Sequence, residues 1–436
     1  MKITCVGGGP TGLYFALLSK LRSPRSEITV IERNAPGATH GWGVTWGDEL
    51  LDDLYTCDPV SARRLRAASL LWGEQQVRID GRAPVHLGGK YGYSMSRSRM
   101  QQILTDRASE LGVRLEYGQA VDDDAEIDAD LVVVADGVGS RIRARHADRF
   151  RPTITTGRNR YIWLGTSAVL GAFTFAFERT AAGWVWAYGY PSSGGTSTFV
   201  VECAPSTWTG LGLDRTTPDE GLRLLEAVFA RVLSGHRLLE PPMTTGRSPW
   251  LHFREILNAS WRHGRVVLAG DAAHTTHFGI GSGTVLAVQD AIALADAVHA
   301  PGLPLSEALD IYDRRRRSVM GPIQDMAMRS MSWFEDVDAR MDGHPVRVAY
   351  SLFDRRGDHA AWRYQLHLAT QIEPLRQVRN GLTSARRSVK SVQRSRREEG
   401  SENQRGGAER TGHPWPHLES GSFNSNADSG WSMTRK

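Results

Sequence analysis

The chain has 436 residues, 40% hydrophobic and 23% charged, with a net charge of +5. This is an ordinary globular composition, long enough for two or three domains. Three scattered cysteines (Cys5, Cys57, Cys203) exclude a disulfide framework or a cysteine zinc site, no apolar run is long enough for a membrane helix, and the surplus positive charge sits mostly in the tail after residue 380, not on a nucleic-acid-binding body.

In chain order, "MKITCVGGGPTGLYFALLSKLRSPRSEITVIER" predicts a strand, a glycine turn, a helix and a second strand. The glycine turn arrives within ten residues, leaving no room for a signal peptide, so a cytoplasmic protein is expected. Residues 97–111 predict a helix and 112–117 a strand; "ADLVVVADGVGSR" (129–141) reads as a buried strand ending in a glycine turn. Residues 158–203 change character, with short aromatic and β-branched runs separated by Gly/Ser turns, the pattern of an antiparallel sheet. A helix is expected at 217–233, a buried strand and turn at 264–272, and helices at about 284–299, 305–320 and 322–340. "RRRRS" at 314–318 reads as a solvated helix face. From about residue 375 the chain is polar and low in apolar residues, and is expected to be disordered. The expected division is a discontinuous nucleotide-binding α/β domain (1–157 and 258–300), an inserted sheet domain (158–257), C-terminal helices (301–374) and a basic tail (375–436).

Three stretches carry chemistry. Gly7, Gly9 and Gly12 form GxGxxG around Pro10 and Thr11, and Glu32 ends the next strand twenty residues later. One glycine permits the tight turn, one lets backbone amides approach a pyrophosphate, and one lets helix and strand pack closely; the acid accepts from ribose hydroxyls. This predicts dinucleotide binding without separating FAD from NAD. The second stretch is "ADGVGS" (135–140), a strand-ending turn with Asp136, Gly137 and, farther on, Arg143. The third, "GDAAHTTHFGIGSG" (270–283), follows another apolar run and opens a helix near Thr284, so its amides and positive dipole end would face whatever lies on the turn. Asp271 is suited to sugar or ribityl hydroxyls, not to phosphate. His274 and His277 have no carboxylate or cysteine beside them to complete a metal set, so no metal is expected.

Together these motifs, with Arg97 in "SRSRMQQIL", resemble the FAD-dependent aromatic hydroxylases, the class A flavoprotein monooxygenases, over roughly residues 1–340. "HGWGV" (40–44), "GRNRYIWLGTS" (157–167), "TSTFVVEC" (196–203) and "SWFEDV" (332–337) are similar to the subgroup holding the violacein-pathway, salicylyl-CoA and anthraniloyl-CoA hydroxylases. Phe278 and Thr284 stand where much of the wider family carries proline and asparagine, and both departures point to that subgroup. The resemblance implies an α/β fold: an FAD-binding Rossmann-like domain with an inserted antiparallel β-sheet substrate domain and C-terminal helices. It implies non-covalent FAD, NADPH or NADH and O2 as co-substrates, and transfer of oxygen from a flavin C4a-hydroperoxide to a small aromatic substrate, indolic or aryl-CoA-like. A monomer or homodimer is expected, with no membrane or nucleic-acid partner. It implies a pyrophosphate site at Gly7, Gly9, Pro10, Thr11 and Gly12, and an adenosine-ribose contact at Glu32 with Arg33 beside it. Arg97, Asp136, Gly137 and Asp271 would serve the phosphate and ribityl side, and Gly281, Gly283 and Thr284 the flavin ring edge. His277 and Phe278 would border the flavin, and Tyr161, Trp163, Trp186 and Tyr188 would border the substrate; no catalytic nucleophile is expected. Two other readings stay open from the residues: a same-fold FAD-dependent reductase or dehydrogenase, and a flavin-binding protein without turnover.

Overall fold

In the computed structural model, the described residues are 1–355 apart from 40, 88–90 and 241–249, together with 381, 384, 385 and 387–394. The β-branched runs of the sequence lie side by side in a six-stranded sheet. Its order is Arg262–His263, Val266–Leu268, Leu131–Val134, Lys2–Val6, Glu27–Glu32, Arg114–Tyr117, and all pairings except the outermost Arg262–His263 are parallel. Parallel strands are covered on both faces, so they read as unbroken apolar runs; Leu131, Val132, Val133, Val134, Val267 and Leu268 are fully buried. The Pro10–Arg22 helix, with Pro10 at its first position, is buried from Thr11 through Ser19.

The second sheet has eight strands. Along its main path they run Leu238–Leu239, Pro152–Thr166, Ser197–Cys203, Gly183–Pro191, Phe173–Thr180, Gln75–Ile79, Val85–Leu87, and Leu251–Asn258 pairs with the first half of Pro152–Thr166. Alternation with period two divides its residues. Phe175, Phe177, Trp184, Trp186, Tyr188 and Val200 form one core with Trp333, Phe334 and the Pro345–Asp354 helix. Ile162, Leu164, Val185, Ala187, Phe199 and Val201 form another, under the helices between 205 and 233. A three-stranded sheet (Gly43–Trp46, Gly92–Ser96, Leu70–Trp72) completes the framework.

Four expectations are corrected. The strands Gln75–Ile79 and Val85–Leu87, assigned to the nucleotide-binding segment 1–157, belong to the second sheet, where Gln75–Ile79 pairs in parallel with Phe173–Thr180. Local pattern shows that a strand is half-apolar but not which sheet edge accepts it. The boundary at 157/158 falls inside the Pro152–Thr166 strand, and Leu251–Asn258 crosses the boundary at 257/258. The helices expected at 305–320 and 322–340 are one helix, Leu305–Glu335, running through Pro322. Proline removes one donor, toward the Ser318 carbonyl, and both residues are exposed, so the freed acceptor has access to water. Finally, residues 387–394 of the supposedly disordered tail are helical, and Arg394, nearly buried, donates to Asp48 Oδ1 at 2.7 Å and Asp52 Oδ1 at 2.8 Å. The rest of 375–436 apart from 381, 384 and 385, the segment 356–374 and His40 of "HGWGV" lie outside the described residues.

Candidate active site

Register decides what meets what. Val6 lies beside Val134, and Val134 beside Leu268. The turns that follow, at Gly7, Asp136 and Gly270, therefore emerge side by side at the carboxyl end of the sheet. Lys2–Val6 is flanked by Glu27–Glu32 on one side and Leu131–Val134 on the other, the place where the strand order reverses and where open α/β sheets bind ligands.

The glycines divide into two kinds. Gly7 (φ +112°) has room for no side chain, since a Cβ would lie 2.3 Å from the Ala135 carbonyl oxygen. A Cβ on Gly12 would lie 2.1 Å from the Gly7 carbonyl oxygen, and one on Gly270 (φ +61°) 2.3 Å from Thr11 Oγ1. These three pack the turns against one another. Gly9, Gly137 and Gly283 have nothing within 4 Å of a Cβ position and leave the crevice open, while a Cβ on Gly281 (φ +66°) would lie 3.9 Å from Thr45 Cγ2.

Two helices aim into this crevice. Pro10–Arg22 and Gly283–Val298 start at Gly9 and Ser282 with no side-chain cap, whereas Ser96, Ser140 and Thr217 cap the helices they precede. Uncapped first-turn amides, including that of the half-buried Thr284, carry partial positive charge suited to an anionic ligand. Glu32 Oε2 accepts from the Gly8 amide at 2.7 Å and Oε1 from the Asn34 amide at 2.9 Å, while Arg33 is exposed beside it. Asp136 Oδ1 is buried without a partner, and burial pushes its carboxyl above the usual range. Asp271 is solvent-accessible within the crevice yet ringed by protein; desolvation raises its carboxyl while the Arg97 charge opposes the rise. Arg97 is anchored through its amide to the Trp42 carbonyl at 2.9 Å, and Gln101, which sequence reasoning missed, reaches the Gly8 carbonyl at 3.2 Å. An orphaned acceptor, open glycines and two bare helix ends fit a bound dinucleotide.

Beneath the third turn lies a device the sequence barely signalled. Asp290 is fully buried; its Oδ2 accepts from the Gly270 amide at 2.8 Å and hydrogen-bonds His274 Nε2 at 2.7 Å, and its Oδ1 accepts from Arg316 Nε at 2.6 Å. Burial alone would raise this carboxyl, but His274, Arg316 and the Gly270 amide outweigh it and hold it at about 2. His274 stacks on Trp261 at 4.9 Å. Arg143 and Asn258 brace the same turn through the carbonyls of Ala272 (2.9 Å) and Ala273 (2.5 Å). Arg316 corrects the reading of "RRRRS": Arg314 and Arg315 are exposed, but Arg316 points inward. The available signal was an acid in the middle of the apolar helix "GTVLAVQDAIALADAV".

The substrate candidates separate by depth. Tyr161 and Trp163 are half-buried; Trp186 and Tyr188 are fully inside the aromatic core. Phe278 packs among them, with ring centroids 4.7 Å from Tyr161, 5.4 Å from Tyr188 and 6.3 Å from Trp163. His277 stacks on Phe278 at 4.3 Å, and its Nδ1 accepts from the Gly279 amide at 3.2 Å. Burial, assisted by the Arg355 charge, lowers the His277 imidazole to about 3, so it is neutral at physiological pH. A cavity of about 10 Å³ remains, lined by Tyr161, Phe253, His277, Phe278, Asn159 and Glu202 among others. Glu202 was missed at sequence level although it lies in "TSTFVVEC". Among the described residues no cluster of His, Cys, Asp or Glu could hold a metal ion, and no helix is long and apolar enough to cross a membrane.

Comparison with known proteins gives this arrangement a family. The profile of the FAD binding domain matches residues 1–327. A salicyloyl-CoA 5-hydroxylase from a Streptomyces species is 38% identical over 366 residues, covering 81% of this chain and 70% of the relative. A 3-hydroxy-4-methyl-anthranilyl-[aryl-carrier protein] 5-monooxygenase from Streptosporangium sibiricum is 36% identical over 363 residues, covering 83% and 96%. Among solved structures, the p-nitrophenol 4-monooxygenase of Pseudomonas putida superposes with a TM-score of 0.62 at 18% identity, covering 86% of this chain and 98% of that one, a likeness of fold. The chain belongs to the FAD binding domain family and is an FAD-dependent aromatic hydroxylase with NAD(P)H and O2 as co-substrates.

Proposed function

We propose that the protein hydroxylates an aromatic ring carried as an aryl thioester. The observation that carries this reading is the aromatic cavity beside the third turn, whose lining residues Gly157 and Asn159 bracket the exposed Arg158. Arg158 pairs at 2.9 Å with Glu335, which also lines the cavity, whereas Arg160 lies on the other face of the sheet with its guanidinium 4.7 Å over Trp208. A cation beside the cavity, as Arg158 is, suits the phosphates of a thioester handle. Arg64 and Arg66 are engaged elsewhere, with Glu110 and the Tyr93 ring. Two relatives whose names specify a CoA or carrier-protein thioester support the same class.

Within the site, the amides of Gly9, Pro10's turn and Thr11 hold the pyrophosphate on the Pro10–Arg22 helix end, and Glu32, beside Arg33, takes the ribose hydroxyls. Arg97, Asp136, Gly137 and Asp271 serve the phosphate and ribityl side, with Gly281, Gly283 and Thr284 under the ring edge. When bound, FAD supplies the redox and oxygen-transfer chemistry. The bare end of the Gly283–Val298 helix stabilises negative charge on that edge by about 0.3–2 kcal/mol. Tyr161, Trp163 and Tyr188 offer apolar ring faces and exclude water. A ring enters this volume only when Phe278 shifts, because the remaining cavity of about 10 Å³ holds no more than one water-sized group. NAD(P)H supply and three unpaired cysteines favour a cytoplasmic location.

The test is oxygen uptake by the FAD-loaded protein with NADPH or NADH and a panel of aryl-CoA thioesters, free benzoates and indoles. Uptake coupled to hydroxylated product is expected with a thioester. Coupling to a free acid or an indole alone overturns the thioester reading. Replacing Phe278 with alanine is expected to lower product formed per NAD(P)H oxidised by about threefold or more, because a loosened wall holds the ring less well; unchanged coupling would show that this loop does not border the reaction.

A further inference from the structure

Glu202 is a carboxyl group set into an aromatic wall, and the roles given so far leave it unused. It projects from Ser197–Cys203, directly opposite Tyr161 on one neighbouring strand and Trp186 on the other. It is 1% exposed. Its Oε2 accepts from Tyr188 Oη at 2.6 Å and Trp186 Nε1 at 3.2 Å, and its Oε1 accepts from Asn159 Nδ2 at 2.7 Å. A carboxylate has about four acceptor positions. Those on Oε2 are taken and one on Oε1 is left, and both Glu202 and Asn159 line the cavity at Phe278. Core packing alone does not call for this arrangement: an apolar residue would stabilise the wall without the cost of burying a charge, and three donors converge to hold the carboxyl there.

We propose that Glu202 determines specificity, its remaining acceptor position taking the hydrogen bond of a hydroxyl or amino group on the substrate ring and so fixing which ring carbon is presented for hydroxylation. The proposal rests on the reading of this cavity as the ring site. A site built around a buried acceptor rejects a ring that leaves it unpaired far more strongly than an apolar pocket rejects a small change in size.

The surroundings make the acceptor depend on pH. Burial pushes the Glu202 carboxyl up to about 7, against the hydrogen bonds from Tyr188, Asn159 and Trp186. The groups facing this cluster are Tyr161 on Pro152–Thr166, Tyr188 on Gly183–Pro191, and Glu335; the negative charge of Glu335 raises Glu202 further, and Glu335 is itself paired with Arg158. The neutral His277 lines the cavity from the loop, and the Arg355 charge beyond the Pro345–Asp354 helix acts on Tyr188 and His277. Above the midpoint the carboxylate accepts; below it the group carries its own proton and the preference weakens.

The experiment measures dissociation constants of salicyloyl-CoA and benzoyl-CoA, which differ by one ring hydroxyl, by equilibrium dialysis against the FAD-loaded wild type, Glu202→Gln and Tyr188→Phe, from about pH 6 to about pH 8. The wild type is expected to prefer the hydroxylated ring by about tenfold or more, with the preference growing as pH rises. Glu202→Gln is expected to bring the two within about threefold and remove the pH dependence, with benzoyl-CoA affinity retained. Tyr188→Phe, which deletes a donor that favours the charged form, moves the midpoint upward. An unchanged preference in Glu202→Gln, or equal wild-type binding of both rings, overturns the proposal. If Glu202→Gln fails to fold, the Tyr188→Phe midpoint decides, and no shift overturns the proposal. If the wild type binds neither thioester, the thioester reading fails by itself, and the comparison is made with a hydroxylated and an unhydroxylated member of the class selected by oxygen uptake.

Discussion

Replacing Gly9 with alanine is expected to leave the apoprotein folded and to abolish FAD retention. Gly9 caps the Pro10–Arg22 helix at φ −77° and ψ −179°, extended backbone open to any residue, and a Cβ there meets nothing within 4 Å. The change in apoprotein stability should stay within about 1 kcal/mol. The added methyl group nonetheless occupies the crevice where backbone amides must approach a pyrophosphate, and affinity should fall by about a hundredfold or more. Gly7→Ala is the contrast. Its positive φ and its 2.3 Å approach to the Ala135 carbonyl predict a loss of roughly 3 kcal/mol or more in the apoprotein itself. Flavin absorbance retained through purification and thermal melting of the apoprotein separate the two variants. Full flavin content in Gly9→Ala would show that the cofactor lies elsewhere.

Asp290→Ala should produce the largest loss of stability among single changes at the third turn. It leaves Arg316 and His274 buried without their carboxylate and frees the Gly270 amide, and breaking such a buried pair costs about 3–5 kcal/mol. The effect should reach FAD, since Gly270 packs against Thr11 at the first turn. The same residue sets an acid limit. Its folded value of about 2 lies below the ordinary 3.8, so the unfolded chain binds the proton first. The stabilisation is complete above about pH 4 and is lost as pH falls toward 2. Urea unfolding of wild type and Asp290→Ala should therefore differ by a constant amount near neutrality and converge in acid. A gap that persists unchanged at the acid end would remove Asp290 as the source.

How much was legible depends on the range of the interaction. The first βαβ unit, the glycine turn and Glu32 lie within 32 residues, and local chemistry wrote them plainly: an apolar run, a turn that needs glycine, then a helix with Pro10 at its start. The alternation of the aromatic strands was equally plain, because period two places Trp186 and Tyr188 on one face whatever lies opposite. Sheet membership was not legible. Gln75–Ile79 pairs with a strand about 100 residues later, a choice made by backbone hydrogen bonds that carry no side-chain signature. Arg316 was hidden in a run of four arginines because helix rotation and the packing of two helices, not composition, decide which of them points inward.

By itself, then, the sequence determined the βαβ unit, the three glycine turns and the aromatic character of the inserted sheet, all consequences of local conformational preference and hydrophobic period. Only the tertiary structure decided that the three turns share one crevice, that Asp290 clamps the last of them, and that Glu202 lies in the wall beside Phe278. Those facts depend on strand register and on helices meeting from opposite parts of the chain, and the free energy that selects them is burial and hydrogen bonding between residues that no local window contains.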